Sequence, residues 1–272
     1  MNDLRMGRLG QIRVYTGKCF RLFISEKQWT NFVSTAIIVL IISMVTSEDM
    51  FNSYPETKNG IFAIICACIW IGLFNSVQSI CKERDIIKRE HRTGLHISSY
   101  ICAHVIYEFA LCAVESLIIV LLVLLKNHSH MPDSGLIFPV EVEFYVTFLL
   151  VTFGSDMIAV LISCIVKTET AAMTVMPFVL IIQLVMSGAI FELSGASEVI
   201  SYFTFSKWGL NAIGSISLTN SAVNSGYEML GDGTWEADGG HLLFTWLLML
   251  AYIAIFIILS IIALKQVDKD KR

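Results

Sequence analysis

The chain has 272 residues, 55% of them apolar and 15% charged, and a strongly positive mean hydropathy, whereas a soluble domain carries about 25% charge. This excludes a water-soluble globular protein, because the apolar residues fall in blocks of about 20, the length that crosses roughly 30 Å of hydrocarbon. A net charge of −4, with the bases gathered by segment rather than along one stripe, excludes nucleic acid as a partner.

The chain opens on a basic, mixed stretch without the short apolar core and small-residue site of a cleavable signal. Within it, residues 11–26 put Ile12, Tyr15, Cys19, Leu22 and Phe23 on one helical face and Gln11, Arg13, Lys18 and Arg21 elsewhere. That is the pattern of a helix lying in the cytoplasmic headgroup layer. Gly17 weakens such a helix by about 1 kcal/mol, so it needs tertiary support. Residues 1–28 thus read as a cytoplasmic amphipathic connecting helix, and 29–272 as a membrane domain.

Six blocks are long and apolar enough to span: 29–46, 60–81, 97–125, 144–166, 171–190 and 241–264. Continuous runs such as 36–42 do not alternate as the strands of a β-barrel would, and an unpaired amide in hydrocarbon costs several kcal/mol, so the spans are helices. The expected fold is an all-α membrane protein of six transmembrane helices.

Between the second and third spans, residues 82–96 crowd charges around the apolar pair Ile86 and Ile87. Two bulky apolar side chains gain nothing in water, so the pattern predicts a short interfacial helix that presses on a cytoplasmic partner. The third span carries His104, Glu108 and Glu115, and the fourth Asp156. Glu108 and Glu115 share one helical face, and His104 and Glu108, at i and i+4, can pair. Carboxylates in hydrocarbon are functional candidates by default; neighbouring Ser, Thr or Asn side chains, or protonation, are the structural alternative. If they line a polar path, they favour a cationic or hydroxyl-bearing substrate. Residues 191–240 are too apolar for disorder and too few for a separate core, which predicts re-entrant or membrane-capping helices on the outer face.

Sixteen of the nineteen lysines and arginines, Arg5, Lys269, Lys271 and Arg272 among them, fall before the first span, in 82–96, at Lys167 or at the tail. The other side keeps Lys58, Lys126 and Lys207 with acids that include Glu48, Asp49, Glu192 and Asp232. Both termini are therefore expected in the cytoplasm. All seven cysteines lie in spans or on the cytoplasmic side, so no outer disulfide framework is expected. No Gly-x-x-x-x-Gly-Lys-Ser/Thr segment occurs, so the chain is not expected to hydrolyse ATP. An intramembrane enzyme fits poorly. His104-x-x-x-Glu108 lacks the further ligands of a zinc protease, His128 and His130 lie in an outer loop, and Ser187-Gly188 has no histidine on its helix.

Three stretches then carry a resemblance. Arg89-Glu-His-Arg-Thr-Gly-Leu, followed by Tyr100-Ile-Cys-Ala-His104 and Val105-Ile-Tyr-Glu108, resembles the Arg-Glu-x-x-x-Gly-Leu, Tyr-Leu-x-Ala-Lys and acid of the permease half of type II ABC exporters, close to the G subfamily and its bacterial relatives. Met176 to Ile190 resembles that family's fifth span, with Ser187-Gly188 at its outer end, and Ser206-Lys-Trp-Gly-Leu-Asn-Ala212 resembles its Ser-Pro-x-x-Trp-x-x-x-Ala, shortened. His104 stands where the family has lysine, the proline after the acid is replaced by Phe109-Ala110, and Lys207 replaces the Ser-Pro proline.

The resemblance implies a plasma-membrane, multi-pass, bacterial permease that exports an amphipathic or lipid-like substrate. It would pair with a second permease copy or homologue and with an ABC ATP-binding subunit, in contact with membrane lipids. ATP and magnesium would sit on that subunit, and no cofactor or metal on this chain. It places Glu90 and Gly94 in the coupling loop beside Ile86 and Ile87; independently of it, Arg13, Lys18 and Arg21 on the neighbouring cytoplasmic helix would offer Glu90 a charge-assisted partner. The resemblance nominates Phe74, Asn75, Phe178, Ile181 and Leu184 for a central substrate cavity between protomers, and Ala189 and Ile190 for an outer gate. The alternative is a non-transporting sensor or immunity protein on the same scaffold.

Overall fold

The structure, a computed structural model, describes residues 7–46, 50–127, 131–132, 134–191, 193–231 and 233–266. Of the residues used above, Arg5, Glu48, Asp49, His128, His130, Glu192, Asp232, Lys269, Lys271 and Arg272 lie outside these. The described residues form twelve helices and no strand. In chain order they are α1 (Arg8–Ser25), α2 (Thr30–Val45), α3 (Tyr54–Ser76), α4 (Ser79–Lys82), α5 (Arg84–Arg92), α6 (Ile97–Lys126), α7 (Val140–Ile165), α8 (Glu169–Val185), α9 (Ala196–Ser201), α10 (Phe205–Ser217), α11 (Ser221–Leu230) and α12 (Gly239–Leu264).

Four stretches are long and apolar enough to cross a membrane by themselves: Tyr54–Lys82, Ile97–Lys126, Val140–Ile165 and Gly239–Leu264. The most apolar of them, α12, is also the least enclosed, with 22% of its apolar window buried against 83% for α7. In water that order would be reversed, since the most apolar helix would take the centre; here the outer solvent is itself apolar. The other two predicted spans come out short. α2 has 16 residues and α8 has 17, about 24–26 Å each. α2 continues from α1 through a bend of 69°, and α8 stops before a turn in which Gly188 takes φ +79°.

α6 is a spine of 30 residues, about 45 Å long, and both halves of the bent pair follow it. On α1, Tyr15 meets the Tyr100 ring edge-on at 5.6 Å and Phe23 meets Tyr107 at 6.5 Å. The predicted apolar face of α1 thus turns onto α6 rather than into headgroups, while Leu9, Val14, Phe20 and Ile24 are exposed on its other side. On α2, Thr35 reaches Glu115 at 3.5 Å, and Lys126 donates to the carbonyls of Ser43 and Thr46, closing the end of α2 with a cation. α3 and α7 form the tightest seam: a Cβ on Gly72 would lie 2.2 Å from the Thr152 carbonyl oxygen. Such backbone approach is what small residues permit between membrane helices. Trp246 of α12 donates to Thr147 of α7 at 3.0 Å, both buried.

The segment after α8 contains the least expected element. α10 is buried along nearly all of its length and packs against α3, α7 and α12. Its first residue, Phe205, sits against Gly154, near the middle of α7, while Gly214 near its end packs on Trp235, which in turn meets Tyr54 at the start of α3. It therefore begins inside the bundle and leaves from the end where α3 and α7 begin. A helix N-terminus there needs acceptors for its free N–H groups. Gln183 of α8 supplies them: its Oε1 accepts from Phe205 N at 3.0 Å and Ser206 N at 3.4 Å, while Ser206 Oγ donates to the Gln183 carbonyl.

Candidate functional site

The short helix α5 is stabilised at both ends. Asp85 lies in its first turn and Arg89, His91 and Arg92 in its last, matching the helix dipole at both ends. It ends in a Schellman turn in which Leu95 N–H donates to Glu90 O at 3.0 Å and Gly94 N–H to His91 O at 3.1 Å. Gly94 sits at φ +115°, a conformation that an L side chain strains. Leu95, the next residue, is buried.

Three residues of one α1 stripe fasten this turn. Gln11 Nε2 donates to Gly94 O at 3.1 Å, and its Oε1 accepts from His96 N at 3.0 Å. Tyr15 Oη donates to Glu90 Oε2 at 2.6 Å. Lys18 Nζ donates to both oxygens of Glu83 at 2.9 Å, and Tyr100 Oη adds a bond to Glu83 at 3.0 Å. Burial, reinforced by the Glu90 carboxylate, raises the Tyr15 phenol well above its ordinary range, so it remains a donor at physiological pH. On the far side, Arg84 Nη1 donates to the Cys164 and Val166 carbonyls at 2.8 and 3.0 Å, joining the loop to the end of α7. Glu90 is thus met by a tyrosine rather than by the three expected bases: Lys18 belongs to Glu83, and Arg13 and Arg21 are exposed. The two isoleucines divide, Ile87 fully buried and Ile86 39% exposed on an outward face with Asp85 and Arg89.

The intramembrane polar residues lie one layer further in. Asn75 Nδ2 donates to Glu115 Oε2 at 2.7 Å. Glu108 and Asp156, 2% and 0% exposed, both face Ser76 of α3. His104 and Glu108 do not pair, because His104 turns toward Tyr100 and Cys19, with Nε2 4.0 Å from Cys19 Sγ, while Glu108 turns toward α3. A cleft of about 260 Å³ between α1, α3 and α6 is lined by Phe74, Asn75, His104 and Glu108 among others. Phe74 stacks on Trp70 at 4.8 Å, and both are exposed on the open side of α3. Phe178 and Ile181 are exposed on α8, and Leu184 is half-buried against the core.

Ala189 and Ile190 line a cavity of about 550 Å³ at the end of the bundle where α3 begins, with Lys58, Lys207 and Asn211 in its wall. Two residues of consequence escaped the sequence reading. Gln183 is a single polar residue in an apolar run, and it caps the buried start of α10. Glu143, fully buried at the start of α7, accepts from the backbone N–H groups of Leu136, Ile137 and Phe138 at 3.1, 2.6 and 2.9 Å.

A helical bundle with an apolar exterior and several helices long enough to span a bilayer is that of a multi-pass membrane protein. The profile of the ABC-2 type transporter family matches residues 10–218, and the chain belongs to that family. It is also similar to the ABC transporter ATP-binding/permease protein Rv1747 of Mycobacterium tuberculosis, at 23% identity over 203 residues, or 71% of this chain and 24% of that protein. The chain thus spans about a quarter of the length of that relative. It is a membrane component of an ABC transporter.

Proposed function

We propose that this chain is the permease of an ATP-driven exporter, moved by an ATP-binding partner that presses on α5. The four long helices, α2 and α8 make six crossings of a bacterial plasma membrane, with α1 and both termini in the cytoplasm. A second copy or homologue faces Phe74, Phe178, Ile181 and Leu184 across a central path for an amphipathic or lipid-like substrate, and Ala189 and Ile190 close its outer end. ATP and magnesium sit on the partner. In support of a partner, the relative's name joins ATP-binding and permease functions in one protein.

The observation that carries this reading is the fastening of α5. Its inward side and the preceding Glu83 are tied to α1, α6 and α7 by charge-assisted and neutral hydrogen bonds, worth about 1–3 kcal/mol each where shielded from water. Its outward side leaves Ile86 and Arg89 exposed. A push on that face moves three helices together rather than bending a loop. The test is Ile86→Glu, a change at an exposed position. The variant is expected to insert and melt like the parent, yet lose co-purification with the ATP-binding partner and lose transport. Transport at the parent rate would remove α5 as the contact.

A further inference from the structure

The cleft beside α1 opens at the cytoplasmic end of the bundle, where Lys82 and Glu26 face each other across its mouth at 3.7 Å, and reaches inward to Phe74, Tyr107, Glu108 and Leu111. Its charged lining is Glu26, Glu83 and Glu108 against Lys82. Glu26 is answered by Lys82, and Glu83 by Lys18. Glu108 is not answered: its Oε2 has no hydrogen-bond partner among the described residues, and neither has Oδ1 or Oδ2 of Asp156 behind it. His104 Nδ1, also in the lining, has none either.

Buried carboxylate oxygens without donors are costly, and more so in a bilayer, so each carboxyl either takes a proton or meets a cation. A metal ion does not fit, since no group of three or more His, Cys, Asp or Glu among the described residues is placed to hold one. The walls instead present aromatic and aliphatic surface, Phe74, Tyr107 and Leu111, beside the carboxyl, the combination that receives an alkylated ammonium.

We propose that this cleft binds an organic ammonium, either a small amine or the head of an amine-bearing amphiphile drawn from the cytoplasmic side. Its nitrogen would lie on Glu108 and its apolar part on Phe74 and Leu111. This names the substrate class of the transporter proposed above and so rests on that reading.

The test uses the full-length chain in lipid nanodiscs without nucleotide. Calorimetry follows benzyltrimethylammonium, whose charge is fixed at every pH, and neopentylbenzene, its uncharged isostere. Saturable binding of the ammonium in preference to the isostere is expected. Glu108→Gln should weaken the ammonium about ten- to hundred-fold and leave the isostere unchanged, and Phe74→Leu should weaken it about two- to fivefold. Equal affinity for the two probes, or an ammonium affinity unaltered by Glu108→Gln, overturns the proposal. If Glu108→Gln does not fold, the probe comparison in the parent chain and in Phe74→Leu decides. A chain that couples ATP hydrolysis to transport yet ignores the ammonium loses this site and keeps its role as a permease; one that binds the ammonium but never transports loses that role and keeps the site.

Discussion

Tyr15 holds Glu90 with a hydroxyl where counting charges selects lysine or arginine. The reason is register: Gln11, Tyr15 and Lys18 lie at helical spacing on one stripe, and that stripe runs past Gly94, Glu90 and Glu83 in turn. Tyr15→Phe keeps the ring on Tyr100 and removes one hydrogen bond, a loss of about 0.5–1.5 kcal/mol in stability. The functional loss is expected to be larger, with hydrolysis by the partner continuing while transport falls, and Glu90→Ala doing the same more severely. The ratio of substrate moved to ATP hydrolysed checks this; a parent-like ratio in both variants would reduce the contact to packing. Glu90 and Gly94 were legible as residues, from the Arg-Glu-x-x-x-Gly-Leu pattern. Their partners were not, because a bond from tyrosine to carboxylate leaves no charge signature in a sequence.

Among the elements, α3, α6, α7 and α12 were plain in the hydropathy, and α1 and α5 in their amphipathic spacing. Ends were less legible. The second span begins at Tyr54, six residues before the predicted start at Gly60, because the Tyr54 ring packs on Tyr227 and Trp235 rather than facing water. α10 could be anticipated only as a kind of element. Its depth depends on Gln183 receiving its first N–H groups, a contact between residues 22 apart in sequence that no periodicity encodes. Orientation can be checked element by element with a membrane-impermeant maleimide. Ser225→Cys on α11 and Arg89→Cys on α5 are both exposed positions. The first should label in intact cells and the second only after permeabilisation; the opposite pattern would invert the proposed topology.

At the scale of the molecule, burial and hydropathy run in opposite order, with α7 enclosed and α12 facing out. The bundle is thus organised for a lipid surround, with its polar groups drawn inward to Asn75, Ser76, Glu108, Glu115 and Asp156. Hydrogen bonds connect α5 and the preceding Glu83 to the ends of α6 and α7, which bracket that polar layer, so displacement of α5 would reach it through rigid helices rather than through loops. The decisive measurement is accumulation of labelled lipids, peptides and dyes in inverted proteoliposomes, with the chain reconstituted alone and together with its ATP-binding partner. Uptake of at least one class only when both are present and ATP is hydrolysed is the predicted result. Uptake at the same rate by the chain alone, or no uptake despite hydrolysis stimulated by the chain, would contradict a permease driven through α5.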